Sequence, residues 1–439
     1  MYPIQRTAPV FLVTASLLLG CPSGEPAPPT PEEHPCAEVW GETPASGRVH
    51  VSPSGDADGD GTLDSPFSTV DAGLEATRAG TIRQIALDAG TLSGTYLLHS
   101  DFGDTGLQLV GCGSAETFLD ATGSGSPAIE VGGADTADVL IRDLALVGGR
   151  RSFQVSGGAG MLGPIVMQGV DVLDSVRVGV LIDGFATRVD LYDVLVQDIG
   201  NEGGNYGWGI SIQTGRQLSA AFEYPVVLRQ VTVEGAEGIG ILVDGAWVDF
   251  EDVTVAGTAS SGQVLGRGLQ LQNWSMGYIT GLRSEENSDA AVFLEKPGRP
   301  DLDAPDGPPV AVELFDSFLG PTSGASIPGE PSSAADGLTA TQIDDGGGLY
   351  GAETFRVVLD GTDLGGNERA HALIEAITMQ VGSNNVFGKG AAWPIAVQGD
   401  GFVEAIGGGA PAQAVSELVA GDALGINRAL LSLDDVVAD

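Results

Sequence analysis

Asp56, Asp58 and Asp60 alternate with small residues and run into Gly61, Thr62, Leu63 and Asp64. D-x-D-x-D-G is the opening of a calcium loop. Hard Ca²⁺ takes about six to eight oxygen ligands, and glycine at the sixth position allows the sharp turn they require. Thr62 stands where a backbone carbonyl is used, Leu63 where an apolar anchor sits, and Asp64 at the ninth position. Phe67 stands where a bidentate Glu closes such loops, leaving Asp71 or another loop to supply that ligand. The set Asp56, Asp58, Asp60, Thr62 and Asp64 is expected to hold Ca²⁺ with low, extracellular-type affinity. The competing reading is a solvated acidic turn.

A second set of polar residues recurs at one offset in five short apolar segments beginning at Gly179, Gly209, Gly240, Gly268 and Ala291. Four residues on from each start come Asp183, Gln213, Asp244, Gln272 and Glu295, and beyond or before them Phe185, Tyr206, Trp208, Trp247 and Trp274. Stacked in parallel, the five polar residues form one outward ladder spaced by about 4.8 Å. Carboxylates and amides beside aromatic faces bind sugars by hydrogen bonds and ring stacking. A solvated sheet face with aromatics covering turns would give the same pattern.

Nothing in the chain singles out a catalytic group. Lys296 and Lys389 are the only lysines, and His34, His50, His99 and His371 all avoid the regular central repeats. No Ser-His-Asp, zinc or phosphate-loop pattern is present. Arg177, Arg188, Arg229 and Arg283 are cations of the right region for a base, yet ion pairing with the acidic surroundings explains them as well.

These residues are carried by a repeat. The template V-x-L-x-[D/Q/G]-V-x-V recurs at Leu107, Val139, Ile165, Val189, Val226 and Val248, with weaker copies at Ile279, Val312 and Val357. Its alternation is strand-like, and the skipped beat before the second apolar pair reads as a bend from one sheet to another. The short segments between copies start 30, 31, 28 and 23 residues apart. Such intervals, each with two or three short strands and glycine turns, suit one turn of a parallel solenoid. A β-sandwich needs hairpin signals that do not recur here, and a propeller needs about four strands per 40–50 residues.

Composition agrees. The chain has 439 residues, 67 of them Gly, and 59 Asp+Glu against 19 Lys+Arg for a net charge of −40. That much glycine argues against an all-helical protein and, without a strict period, against collagen. The charge excludes nucleic acid and anionic membrane surfaces as electrostatic partners.

Two segments resemble known families. Residues 1–20 end an apolar run in Leu18-Leu19-Gly20-Cys21 and resemble the lipobox of bacterial lipoproteins. The resemblance implies cleavage before Cys21, lipidation of Cys21, and membrane attachment through that anchor alone; Pro22 after it favours the outer membrane. Residues 21–47 then form a proline-rich spacer. In such an oxidising compartment Cys36 and Cys112 are expected to pair, the alternative being two separate thiols.

Val49-His-Val-Ser-Pro-Ser-Gly55, Gly61-Thr62, Ser65-Pro66-Phe67-Ser68-Thr69-Val70 and the following AGLEATRAG resemble the entry to bacterial right-handed β-helix proteins of the pectin-lyase-like fold. This implies an all-β right-handed parallel β-helix of about nine to eleven rungs over residues 48–409. Val70–Ala79 would be an amphipathic helix covering its open end, opened by a loose capping box at Ser68 to Asp71. Pro321–Gly348 reads as a loop excursion, 373–408 as one or two further rungs, and 410–439 as a C-terminal cap or tail.

Polygalacturonases of this fold carry N-T-D, G-H-G and R-I-K motifs, all absent here. The Asp344-Asp345 and Asp434-Asp435 pairs lie outside the regular rungs. Lyases of the fold use Ca²⁺ with an Arg or Lys base. The sequence therefore favours an envelope-anchored, monomeric protein that binds carbohydrate or another surface partner without turnover. A polysaccharide lyase or glycoside hydrolase, or a structural spacer or adhesion module, are the alternatives.

Overall fold

The computed structural model describes residues 34–41, 47–133, 136–156, 163–183, 188–204, 206–213, 225–261, 265–297, 310–323, 335–342, 355–389, 391–399, 401–406 and 415–417. The leader, Cys21, Phe185, both Asp-Asp pairs and most of 410–439 lie outside them.

Apolar residues on alternate positions build two parallel sheets, of twenty and twelve strands among the described residues. The repeat copies form the first sheet. Val139–Val147, Ile165–Leu173, Val189–Gln197 and Val226–Glu234 stack in register, with Ile141, Met167, Leu191 and Leu228 above one another. The short segments form the second sheet, where Val180, Ile210, Ile241, Leu269, Val292 and Leu338 make one inward file. Both files belong to one continuous buried core. The right-handed parallel β-helix expected from the sequence is the fold, with twelve strands in the second sheet against the nine to eleven rungs expected.

The skipped beat is a backbone bend, but its two flanks stay in the same sheet. In eight copies, from Val139 to Val357, one residue adopts a left-handed conformation there: Asp143 (φ 56°), Gly169 (60°), Asp193 (52°), Gln230 (55°), Asp252 (55°), Gly281 (70°), Asp316 (47°) and Gly361 (66°). Gly, Asn and Asp enter this region most readily, which explains the Asp and Gly at this position of the template; Gln230 is the exception.

The excursion expected over Pro321–Gly348 is interrupted by a strand. Asp336–Thr341 pairs with both Ala290–Glu295 and Ala370–Glu375. Its flanking glycine, serine and proline mask a short strand whose Leu338 and Ala340 fill the core file.

The helix Val70–Ala79 forms where expected. Its cap is Thr69, whose hydroxyl accepts from the Ala72 amide at 3.3 Å, rather than Ser68. Val70 and Leu74 join Val49, Val51, Ile85 and Leu87 in the first layer of core. Gly73 lets the helix approach closely, since a Cβ would lie 3.0 Å from a Val51 methyl. Arg78 then ties the helix to the start of the second sheet, donating to both Asp104 oxygens at 2.9 and 2.7 Å and to the Leu97 carbonyl at 2.8 Å. Cys36 and Cys112 are joined in a disulfide with Cα atoms 4.9 Å apart. It packs with Trp40, Ala86 and Val110 on the first sheet's outer face.

Candidate functional site

The acidic loop follows directly on the strand Arg48–Asp56, and its four carboxylates are exposed. Asp60 Oδ1 accepts from the Thr62 amide at 3.0 Å and from its hydroxyl at 2.7 Å. These bonds hold the Asp60 carboxyl below its ordinary pKa. Gly61 sits at φ 77°, as a sharp turn requires. Among the described residues no three His, Cys, Asp or Glu side chains gather as a metal-binding group. Within the set Asp56, Asp58, Asp60, Thr62 and Asp64, Asp60 and Thr62 thus build a hydrogen-bonded turn.

The polar ladder exists as stacked, but it is not a solvated face. Asp183 pairs in register with Gln213, Gln213 with Asp244, Asp244 with Gln272, and Gln272 with Glu295. The file continues through Thr341, Glu375 and Gln398. Gln213 is 2 %, Asp244 6 %, and Gln272 and Glu295 0 % exposed. Gln213 donates to Ser211 in its own strand, and Asp244 is bonded from the next rung. Gln270 donates to Gln272 at 2.5 Å, Gln272 to Asp244 at 3.0 Å, and Asn273 to the other Asp244 oxygen at 2.9 Å. Further on, Thr341 and Gln398 donate to Glu375 at 2.9 and 3.1 Å. Burial pushes the Asp183 and Asp244 carboxyls up, Arg151 opposing it at Asp183 and the Asn273 and Gln272 amides at Asp244. A polar residue recurring once per rung signals cross-rung hydrogen bonding as strongly as solvent exposure, and at Asp244 and Glu375 the bonding prevails.

The rest of that outer face is buried as well. Trp208 is 1 % exposed and packs with Val178, Leu181, Tyr206, Ile239 and Leu242 in a second apolar cluster. Its ring lies 5.7 Å from Tyr206, which in turn carries the Arg177 guanidinium at 4.6 Å. Farther along, Arg267 pairs with Asp289 at 2.9 Å, each at most 2 % exposed, and lies 3.5 Å over Phe293. Trp274 is half-buried in a left-handed turn (φ 68°) with its amide on the Lys296 carbonyl. Trp208 therefore offers no open sugar platform, and Trp274 only a partly covered one.

Trp247 does, on the other sheet. The turn Gly245-Ala246 carries the chain from the ladder onto the first sheet, where Trp247–Glu251 begins with the indole 36 % exposed. Trp247 pairs with Met276, and Asp249 with Tyr278, which is 48 % exposed. Tyr278 pairs with Glu313 on the next rung. Trp247, Asp249, Met276, Gly277, Tyr278, Val310, Ala311 and Glu313 line a groove of about 380 Å³. Arg229 fixes Asp249, donating to its carboxylate at 2.7 Å and its carbonyl at 2.8 Å, and also reaches Glu251 at 2.9 Å. Tyr278 leans on Phe315, ring centroids 5.7 Å apart.

Sequence reading finds Trp247 but not the rest of this groove. The signal lies in aligning the copies Val248-Phe250 and Gly277-Ile279, which sets Asp249 beside Tyr278.

No protein-family model and no curated protein matches the chain. Among solved structures, the catalytic unit of a GH87 α-1,3-glucanase from Streptomyces thermodiastaticus strain HF3-3 aligns with TM-score 0.53 and 15 % identity, over 87 % of this chain and 70 % of that one. The shared feature is the parallel β-helix. An alginate lyase from Paenibacillus sp. str. FPU-7 aligns with TM-score 0.43 and 14 % identity, over 75 % of this chain and 96 % of that one. A pectate lyase aligns with TM-score 0.44 and 11 % identity, over 71 % and 75 %.

Proposed function

We propose that the protein is a carbohydrate-binding β-helix of the bacterial envelope, anchored through Cys21, that holds a glycan in the Trp247–Tyr278 groove without cleaving it. The observation that carries this reading is two exposed aromatic rings on adjacent rungs, with Asp249 and Glu313 within the same groove. Rings stack on apolar sugar faces while fixed carboxylates accept from hydroxyls. A glycan panel with purified protein tests it: binding is expected to fall about 5- to 30-fold in Trp247→Ala, the loss of one stacked ring of roughly 1–2 kcal/mol. Unchanged binding in that variant, or no glycan bound at all, contradicts the reading. Attachment is tested by Cys21→Ser, which is expected to move the protein from the membrane to the soluble fraction.

A second reading is hydrolysis in the same groove. It is favoured by the presence of two carboxylates, Asp249 and Glu313, the minimum set for glycoside cleavage. Against it, Asp249 is committed to Arg229. New reducing ends, or unsaturated products, on incubation with the panel would establish turnover instead of binding.

Calcium at the Asp56–Asp64 loop is proposed as a stabilising ion. Millimolar Ca²⁺ is expected to raise the melting temperature of the wild type and not that of the Asp58→Ala, Asp60→Ala double variant.

A further inference from the structure

We infer that the groove selects glycans carrying free amines, a deepening that rests on the carbohydrate-binding reading above. Trp247 and Tyr278 present exposed ring faces, which attract cations as well as sugar rings. The charges around them do not cancel. Arg229 is shared between Asp249 and Glu251, at 2.7 and 2.9 Å. That leaves the trio of Arg229, Asp249 and Glu251 with a net negative charge before Glu313 is added. Glu313 is half-buried on the next rung, beside Tyr278. Among the described residues it makes no hydrogen bond or ion pair, and no Lys or Arg lines the groove.

A carboxylate held partly out of water without a cation, next to two ring faces, is the environment an alkylammonium group fits. It would gain an ion pair with Glu313 and a cation–π contact, while its sugar ring stacks. A uronate would bring a like charge to the same place. The chain's net charge of −40 acts in the same direction, concentrating cationic ligands and repelling anionic ones.

The test is titration of wild-type protein with chito-oligosaccharides of one length, fully deacetylated or fully N-acetylated, and with alginate oligosaccharides. The titrations are run at about pH 6, where the sugar amines are cationic. The deacetylated oligomer is expected to bind about 5- to 20-fold more tightly than the acetylated one, combining one ion pair with one cation–π contact. Alginate is expected not to bind. In Glu313→Gln the preference should collapse to within about threefold, and 0.5 M NaCl should erode it in the wild type. Equal binding of both forms overturns the inference and leaves the carbohydrate reading standing. Failure of either form, and of every neutral glycan, overturns both.

Discussion

At the scale of single residues, the acids of the second sheet's outer face are set by burial. The Asp289 carboxyl is held above its ordinary pKa by desolvation, with Arg267 opposing. Removing the guanidinium in Arg267→Ala strands a buried carboxylate and uncovers the Phe293 face, so a loss of about 3–5 kcal/mol is expected in urea denaturation. Asp183 gives the complementary prediction. Its folded pKa is raised above the unfolded value of about 3.9. The folded state therefore keeps the proton longer, and stability falls as pH rises from about 4 through the folded pKa. Asp183→Asn should flatten that part of the melting-temperature profile and match or exceed the wild type at pH 7. A steeper profile would contradict the burial assignment.

At the scale of the element, the rung is a strand bent once at a left-handed residue, and neighbouring rungs share the space around that bend. A Cβ on Gly281 would stand 2.7 Å from Asp252 Oδ1, and one on Gly361 2.3 Å from Asp316 Oδ1. Gly281→Ala thus meets an unfavourable φ of 70° and a close oxygen together. It should cost about 1–3 kcal/mol, and Asp252→Gly should restore part of that loss. A neutral Gly281→Ala would contradict the account. The rung was legible in the sequence because Val, Leu and Ile alternate on one face and D/Q/G marks the bend. Asp336–Thr341 was not, since its apolar pair is only Leu338 and Ala340 between glycine- and serine-rich flanks. The ladder was legible as a register but not as an environment: Gln213, Asp244, Gln272 and Glu295 occupy outward positions, and whether such positions meet water depends on what packs over the sheet. Conversely, Tyr278 and Glu313 sit in weak copies of the template, so their convergence on Trp247 becomes visible only once the rungs are stacked.

At the scale of the whole molecule, a solenoid is held by neighbour-to-neighbour contacts, so each end needs its own closure. The helix Val70–Ala79, the Arg78–Asp104 pair and the Cys36–Cys112 bond supply it at the first rungs. The disulfide closes a sequence separation of 76 residues, worth about 4 kcal/mol by loop entropy. Its reduction should expose the N-terminal rungs first, seen as faster hydrogen exchange at Ile85 and Leu109 than at Ile241. The net charge of −40 favours cationic over anionic ligands, which bears on the groove lined by Trp247 and Tyr278. The most direct measurement is calorimetric titration of wild type and Trp247→Ala with the tightest glycan from the panel. Saturable binding by the wild type and about 5- to 30-fold weaker binding by the variant are predicted, both melting alike; equal affinity in the two would contradict the carbohydrate-binding role of the groove.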